Sequence, residues 1–353
     1  MKKIFIAIVA LAAATACSNS EIVSVNREAI TFDNAFVNNS TRSVVDPSLD
    51  LNDLKEDDGI GFGVYGFVTG DPNDAANTTA PIFTNEQVTW NSTANAWKHN
   101  TIQYWITGAN YNFAAIAPYS NTTINSNLWT ATVENGTTTL NYDDPYSDPG
   151  TFDLLYAAAS VENVTAGYNT PVSFNFRHIL SKVKFTFKNE YDATNTKIAV
   201  RTIVVKATTQ AVATLTANNT VWDNHNDIKS YNFFSAGTQQ SGGRVVPAKL
   251  ANGDSAESFN ELLLIPTTYD VTYPVTFYVD LYVVNGETET LVKTFEHSHT
   301  FTVQFQPGCS YNVKVTIDKD NIDPAGAQKP IEFTVDENSN WGWTSGNLDI
   351  NNM

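Results

Sequence analysis

The sequence predicts an all-β protein built from β-sandwiches, and three observations carry that prediction. Short apolar or alternating runs recur along nearly the whole chain, separated by Gly, Asn, Asp and Pro. Two Asn-Gly pairs, Asn135-Gly136 and Asn285-Gly286, stand between such runs, where a tight hairpin turn needs positive φ. Capped stretches of 3.6-residue periodicity are scarce: Asp153–Ala159 reads as a helical turn or equally as a buried strand. Frequent short strands with turn signals between them are the pattern of sandwiches.

In chain order, Met1-Lys2-Lys3 is a basic start, and the apolar run Ile4–Ala16 is too short for a stop-transfer helix. Residues 1–16 therefore read as an export signal. The run closes on Ala14-Thr15-Ala16-Cys17, which resembles the bacterial lipoprotein signal, with Ala14 where that signal usually carries Leu. Acylation at Cys17 is expected; an ordinary secretory signal cut after Ala16 is the alternative. The only other cysteine, Cys309, then has no partner, which excludes a disulfide framework and marks it as a structural thiol.

A short strand, Ala29–Phe32 with Phe36 beyond it, comes next, and Ile30 and Phe32 point to one face because they are two apart. Arg42-Ser43 follows in a polar segment open to a trypsin-like protease. Arg27 is the competing cut site, but cleavage there would leave Ile30 and Phe32 attached, whereas cleavage at Arg42 releases the whole strand. Residues 17–42 thus form a lipidated propeptide that carries its own strand.

Further strands are expected at Ile60–Val68, Thr101–Ala117, the hairpin Thr130–Tyr142, Val183–Phe187, Ile198–Ala207 and Leu262–Ile265. Val275–Val284 and Leu291–Phe295 flank Asn285-Gly286; Phe301–Phe305 and Tyr311–Ile317 follow. A change of character around Phe176 divides the body into 43–176 and 177–353. The connector Asp320–Pro330 is loose, and near 330–336 Ile331, Phe333 and Val335 repeat the one-face spacing of the first strand.

Net charge is −17 with 16% charged residues, and loss of the segment through Arg42 leaves −18, since it removes four basic and three acidic residues. An acidic exported chain repels phosphate backbones, so nucleic acid is excluded as a partner. Enzymatic signatures are absent. Gly61-Phe62-Gly63-Val64-Tyr65-Gly66 matches a dinucleotide glycine pattern but lies in a strand-like run with no following helix. His297 and His299 share a face without a third ligand and read as solvent-facing, His178 reads as a hydrogen-bonded structural residue, and no cofactor or metal is implied. The acidic stretches 50–58 and 143–153 lack EF-hand spacing and read as solvated loops; the seven tryptophans read as core.

These pieces resemble, in order, the fimbrillin (type V pilin) family of Bacteroidia. The resemblance runs through the lipoprotein signal, Thr41-Arg42, Trp105 with Tyr111-x-Phe113-x-Ala115-x-Ala117-Pro118, and Asp153-Leu154-Leu155-Tyr156-Ala157. It continues through Phe176-x-His178-Ile179-Leu180-Ser181-Lys182-Val183-x-Phe185, Leu264-Ile265-Pro266 and Pro307-Gly308-x-x-Tyr311-x-Val313-x-Val315. The resemblance implies two transthyretin-like β-sandwich domains in tandem and a shaft or tip subunit of a surface fimbria. It also implies an Arg-specific maturation protease, and assembly with copies of itself or related pilins by strand exchange. Ile331, Phe333 and Val335 are the candidate donor residues, the alternative being that their strand completes its own domain in cis, and the precursor is expected at the outer membrane through its lipid. A lipid-anchored surface protein that binds a glycan or host ligand and never polymerises is the competing reading.

Overall fold

A computed structural model of the chain describes residues 28–37, 48–55, 61–74, 76, 78–125, 128–144, 149–235, 237–239, 245–322 and 329–338. The first half holds β1 (Phe32–Val37), β2 (Phe62–Thr69), β3 (Ala80–Asn91), β4 (Ala96–Lys98) and β5 (Asn110–Ala117). Next come β6 (Trp129–Glu134), β7 (Thr137–Asp143), β8 (Leu155–Val161) and β9 (Val172–His178). The second half begins with β10 (Ser181–Asn189), β11 (Thr196–Leu215), β12 (Thr220–Phe233), β13 (Gly237–Gln239) and β14 (Val245–Pro247). It continues with β15 (Ser255–Glu257), β16 (Leu262–Leu264), β17 (Val271–Asn285), β18 (Thr288–Val303), β19 (Ser310–Ile317) and β20 (Phe333–Asn338). Among the described residues the helical segments are two single turns, α1 (Leu51–Leu54) and α2 (Lys319–Ile322).

Among the described residues there are three large sheets and a small two-stranded one, β13-β14. A seven-stranded sheet runs β1-β9-β8-β5-β2-β3-β4. A second runs β15-β10-β19-β20, with β16 also on β10, and a third runs β18-β17-β11-β7-β6, with β12 on β11. β1 lies parallel to β9 and β10 parallel to β19; the other pairs are antiparallel.

Period-2 patterning explains how one strand serves two cores. On β5, Tyr111, Phe113, Ala115 and Ala117 enter one core with Phe32, Phe62, Val64 and Phe174. Ala114 and Ile116 on its other face join Tyr65, Tyr156, Leu140, Ala213 and Leu215, so a second core sits between the seven-stranded sheet and β6-β7-β11. The third core lies in the second half, where Phe185 and Phe187 of β10 pack on Phe233, Phe277 and Phe301. β11 is twenty residues long and links these layers. Its start pairs with β17 and its end, Gln210–Leu215, with β7, while β12 covers its other edge.

Several expectations are refined. Leu291–Phe295 and Phe301–Phe305 are not two strands: β18 runs unbroken from Thr288 to Val303. The first hairpin turns at Asn135-Gly136 with φ of 50° and 76°, but the second turns one residue later, at Gly286-Glu287, with only Gly286 at positive φ. Asp153–Ala159 resolves as the start of β8. β3, β4 and β12 have no counterpart in the sequence reading; β12 carries Asp223-Asn224-His225-Asn226-Asp227 and absorbs two positive-φ residues, Asn224 and Asp227. Thr101–Ile106 forms only an isolated bridge at Tyr104.

Candidate functional site: the seat of the first strand

The seven-stranded sheet curls until its two ends meet, and β1 fills the seam. Phe32, only 3% exposed, touches Phe174 of β9 (ring centroids 5.8 Å apart) and Phe113 of β5 (6.3 Å) on one side. Across the seam it meets Phe83 of β3 (5.6 Å) and His99, just beyond β4 (5.0 Å). Ile30, Ala35 and Val37 are buried beside it. The buried positions step by two, then by three, then by two, because a bulge between Asp33 and Phe36 shifts the register against β9.

Backbone bonds hold the strand on two flanks. On the β9 side the Val172 N–H donates to the Thr31 carbonyl at 2.8 Å. On the other flank, Ile30 N–H donates to the Gln103 carbonyl at 2.8 Å, and Trp105 N–H donates to the Glu28 carbonyl at 3.0 Å. His99 Nε2 lies 3.2 Å from the Ile30 carbonyl. The Gln103–Trp105 flank, His99 and the aromatic cage were not legible in sequence, since none of them is near the first strand along the chain.

Cys17, Arg42 and Ser43 lie outside the described residues. Past them, Leu49 N–H donates to Asp153 Oδ2 at 2.9 Å, and His178 Nδ1 lies 2.6 Å from the same oxygen. Asp153 and His178 are both buried, so the chain beyond Arg42 is anchored at the end of β9 independently of β1. The acidic stretch 143–153 is thus not simply solvated: Asp144 is buried too and accepts from the Gly150 N–H at 2.8 Å. Asp50 caps α1 through the N–H groups of Asn52 and Asp53.

At the other end, Ile331 is buried and Phe333 and Val335 half-buried on the third core. In this single chain β20 pairs with β19 at the edge of its own sheet, Val313 opposite Val335 and Val315 opposite Phe333. Phe333 also packs on His299 (5.9 Å) and Phe301 (6.1 Å) of β18, closing the gap between two sheets.

His297 is not solvent-facing, and His299 is half-buried. His297 is 2% exposed and stacks on Phe277; burial, reinforced by His299, pushes its pKa down to about 4. Among the described residues no group of three metal-ligating side chains converges. Cys309 is buried, and burial pushes its thiol up to about 11, the behaviour of an unreactive structural cysteine. Trp97, Trp105, Trp129 and Trp222 are core residues; Trp341 and Trp343 lie outside the described residues.

Among the described residues the most distinctive site is the seat of a strand in an all-β protein. Its family follows from comparison: the sequence model of the fimbrillin-like family matches residues 41–335, and the chain belongs to that family. Membership places it among fimbrial adhesion proteins, which are structural and not enzymes. No curated protein matches the chain. A fimbrial protein from Bacteroides vulgatus shares its fold at a TM-score of 0.62 and 19% identity, covering 90% of this chain and 100% of that one. A candidate cell adhesion protein from Bacteroides uniformis aligns at 0.45 and 16%, over 90% and 99%. Another, from Bacteroides ovatus, aligns at 0.44 and 17%, over 91% and 99%.

Proposed function

We propose that the chain is a shaft or tip subunit of a surface fimbria, exported as a precursor lipidated at Cys17. An Arg-specific protease cuts it between Arg42 and Ser43, and it polymerises by β-strand exchange with copies of itself or related pilins, supporting adhesion. The observation that carries this reading is the burial of Ile30 and Phe32 in the seam, on the side of Arg42 that cleavage would remove. Loss of that strand leaves an apolar slot and the unpaired edge of β9, a template for another chain. The donor would be the segment with Ile331, Phe333 and Val335. Three such side chains contribute on the order of 5–9 kcal/mol when fully buried, before ladder bonds and the cost of ordering. Exchange between unlike surfaces grows filaments rather than closed dimers. The tandem transthyretin-like arrangement, divided into 43–176 and 177–353, belongs to the same proposal; β9, which carries the division, ends at His178.

Arg42→Ala tests it: the expected product is lipidated monomer, with no ladder on unboiled gels after treatment with an Arg-specific protease. Normal polymer from that variant defeats the processing site. A cavity of about 410 Å³ between the seven-stranded sheet and the β6–β7 hairpin, lined by Phe67, Asn112, Asn135, Tyr156 and Ser160, favours the second reading of a lipid-anchored binding protein. A wild-type chain that survives trimming as a stable monomer would support that reading instead.

A further inference from the structure

We infer that the short flank Gln103–Trp105 sets the register of the strand that replaces β1, and that Pro330 is the tail residue this register accommodates. The inference rests on the strand-exchange reading above. The bonds seating the first strand run through the Glu28 carbonyl, the Ile30 N–H and the Thr31 carbonyl. Ala29, which bridges Tyr104, lends its N–H to none of these bonds. A residue without an N–H, normally excluded from a paired strand, therefore fits at Ala29 and loses none of them.

The tail offers such a residue in the matching place. Lys329-Pro330-Ile331-Glu332-Phe333 laid over Glu28-Ala29-Ile30-Thr31-Phe32 sets Ile on Ile, Phe on Phe and Pro330 on Ala29. The Lys329 carbonyl then accepts from Trp105 N–H, Ile331 N–H donates to Gln103, and the Glu332 carbonyl accepts from Val172 N–H. Neighbouring registers fail on side chains. Sliding by two in one direction puts Lys329 in the seat of Ile30, a position 1% exposed. Sliding by two in the other leaves Val335 in the aromatic cage of Phe32. A slip of one turns Glu332 inward. The correspondence ends at Phe333, because the first strand then bulges and the tail's next apolar residue, Val335, comes one position sooner than Ala35. To move, the tail gives up its ladder with β19 and the contacts of Phe333 with His299 and Phe301, and at its start the Lys329 N–H to the Asp320 carbonyl (2.8 Å), the Lys329 Nζ to Asp320 Oδ2 (2.6 Å) and the Asn321 side-chain amide to the Lys329 and Pro330 carbonyls (3.3 and 3.2 Å).

Cysteine trapping tests the register. Ala29 and Tyr104 form a non-hydrogen-bonded antiparallel pair, with Cα atoms roughly 4.5 Å apart in that geometry, inside disulfide reach. In a Cys309→Ser chain trimmed by an Arg-specific protease, Tyr104→Cys with Pro330→Cys should give oxidised multimers that survive boiling and collapse with reductant. Tyr104→Cys with Glu332→Cys, or with Gln328→Cys, should give at least tenfold less. Equal or greater crosslinking at 328 or 332 overturns the register while leaving strand exchange standing. Absence of any ladder from the trimmed wild-type chain overturns both. Hydrogen exchange on wild-type polymer gives an independent readout: the Trp105 and Ile331 amides should exchange at least tenfold more slowly than in trimmed monomer, and an unprotected Trp105 amide in polymer also overturns the proposal.

Discussion

Phe32 shows how much a single side chain contributes to the precursor. It stands among four rings at the closing seam of a sheet, so truncation leaves a cavity that neither end of the sheet can fill alone. Phe32→Ala should lower the stability of the uncut chain by about 3–5 kcal/mol in urea denaturation. After cleavage at Arg42 the variant and the wild type should denature identically, because the residue has left; a difference that persists would place cleavage upstream of the strand. His297 makes a pH prediction. Its folded pKa of about 4 lies below the unfolded value near 6.5, so the unfolded chain takes up its proton first as pH falls. Its neutral form supports the fold fully above pH 6.5, and the loss between 6.5 and 4 should amount to about 3 kcal/mol. His297→Phe, matching the stacked ring, should flatten that part of a pH–stability curve; an unchanged slope would rule His297 out as its source.

Among the elements, two glycines separate a turn's demand from a contact's demand. Gly136 has φ of 76° in the β6–β7 turn and open space where a Cβ would stand. Gly136→Ala should cost only about 1–2 kcal/mol, through the left-handed backbone. Gly61, at φ 51°, would set a Cβ 2.0 Å from the Val88 carbonyl oxygen. Gly61→Ala should therefore separate the start of β2 from β3 and cost several-fold more by thermal or urea denaturation; comparable losses for the two would contradict the packing described. Hairpins of this kind were readable in sequence because their signals are local. β12 was not, since its polar run gains strand character only by pairing along β11. β18 was cut in two for a related reason: Glu296-His297-Ser298-His299 looks like a break until Phe277 is seen to cover His297.

For the molecule as a whole, the tail is an edge element beside β19, while the first strand is last in its sheet's order beside β9 and also bonds across the seam to the Gln103–Trp105 flank. Neither lies between two strands of its sheet's order, so either leaves with that order intact, which is what exchange requires. A trimmed chain should therefore bind a synthetic peptide of residues 329–338 in its vacated seam, with a melting temperature that rises with peptide concentration. The uncut precursor, its seam filled, should show no such rise; a rise in both would place the peptide elsewhere. Arg177 of β9 donates to the Thr216, Ala217 and Asn219 carbonyls at the β11–β12 turn, and β7 pairs with β11, so the first half stays attached to the third sheet when β1 departs.

The sequence by itself determined that this is a β protein, that its first hairpin turns at Asn135-Gly136, and that Ile30 with Phe32, and Ile331 with Phe333, each present one apolar face. These are properties of period and turn chemistry, set by residues a few positions apart. Only the tertiary structure decided that β1 runs parallel to β9 in a seam closed by Phe83 and His99, that β11 belongs to two cores, and that His297 is interior. Alternating apolar residues state that a face must be covered and carry no address for what covers it; that choice is made by contacts between residues tens of positions apart, which exist only once the chain has folded.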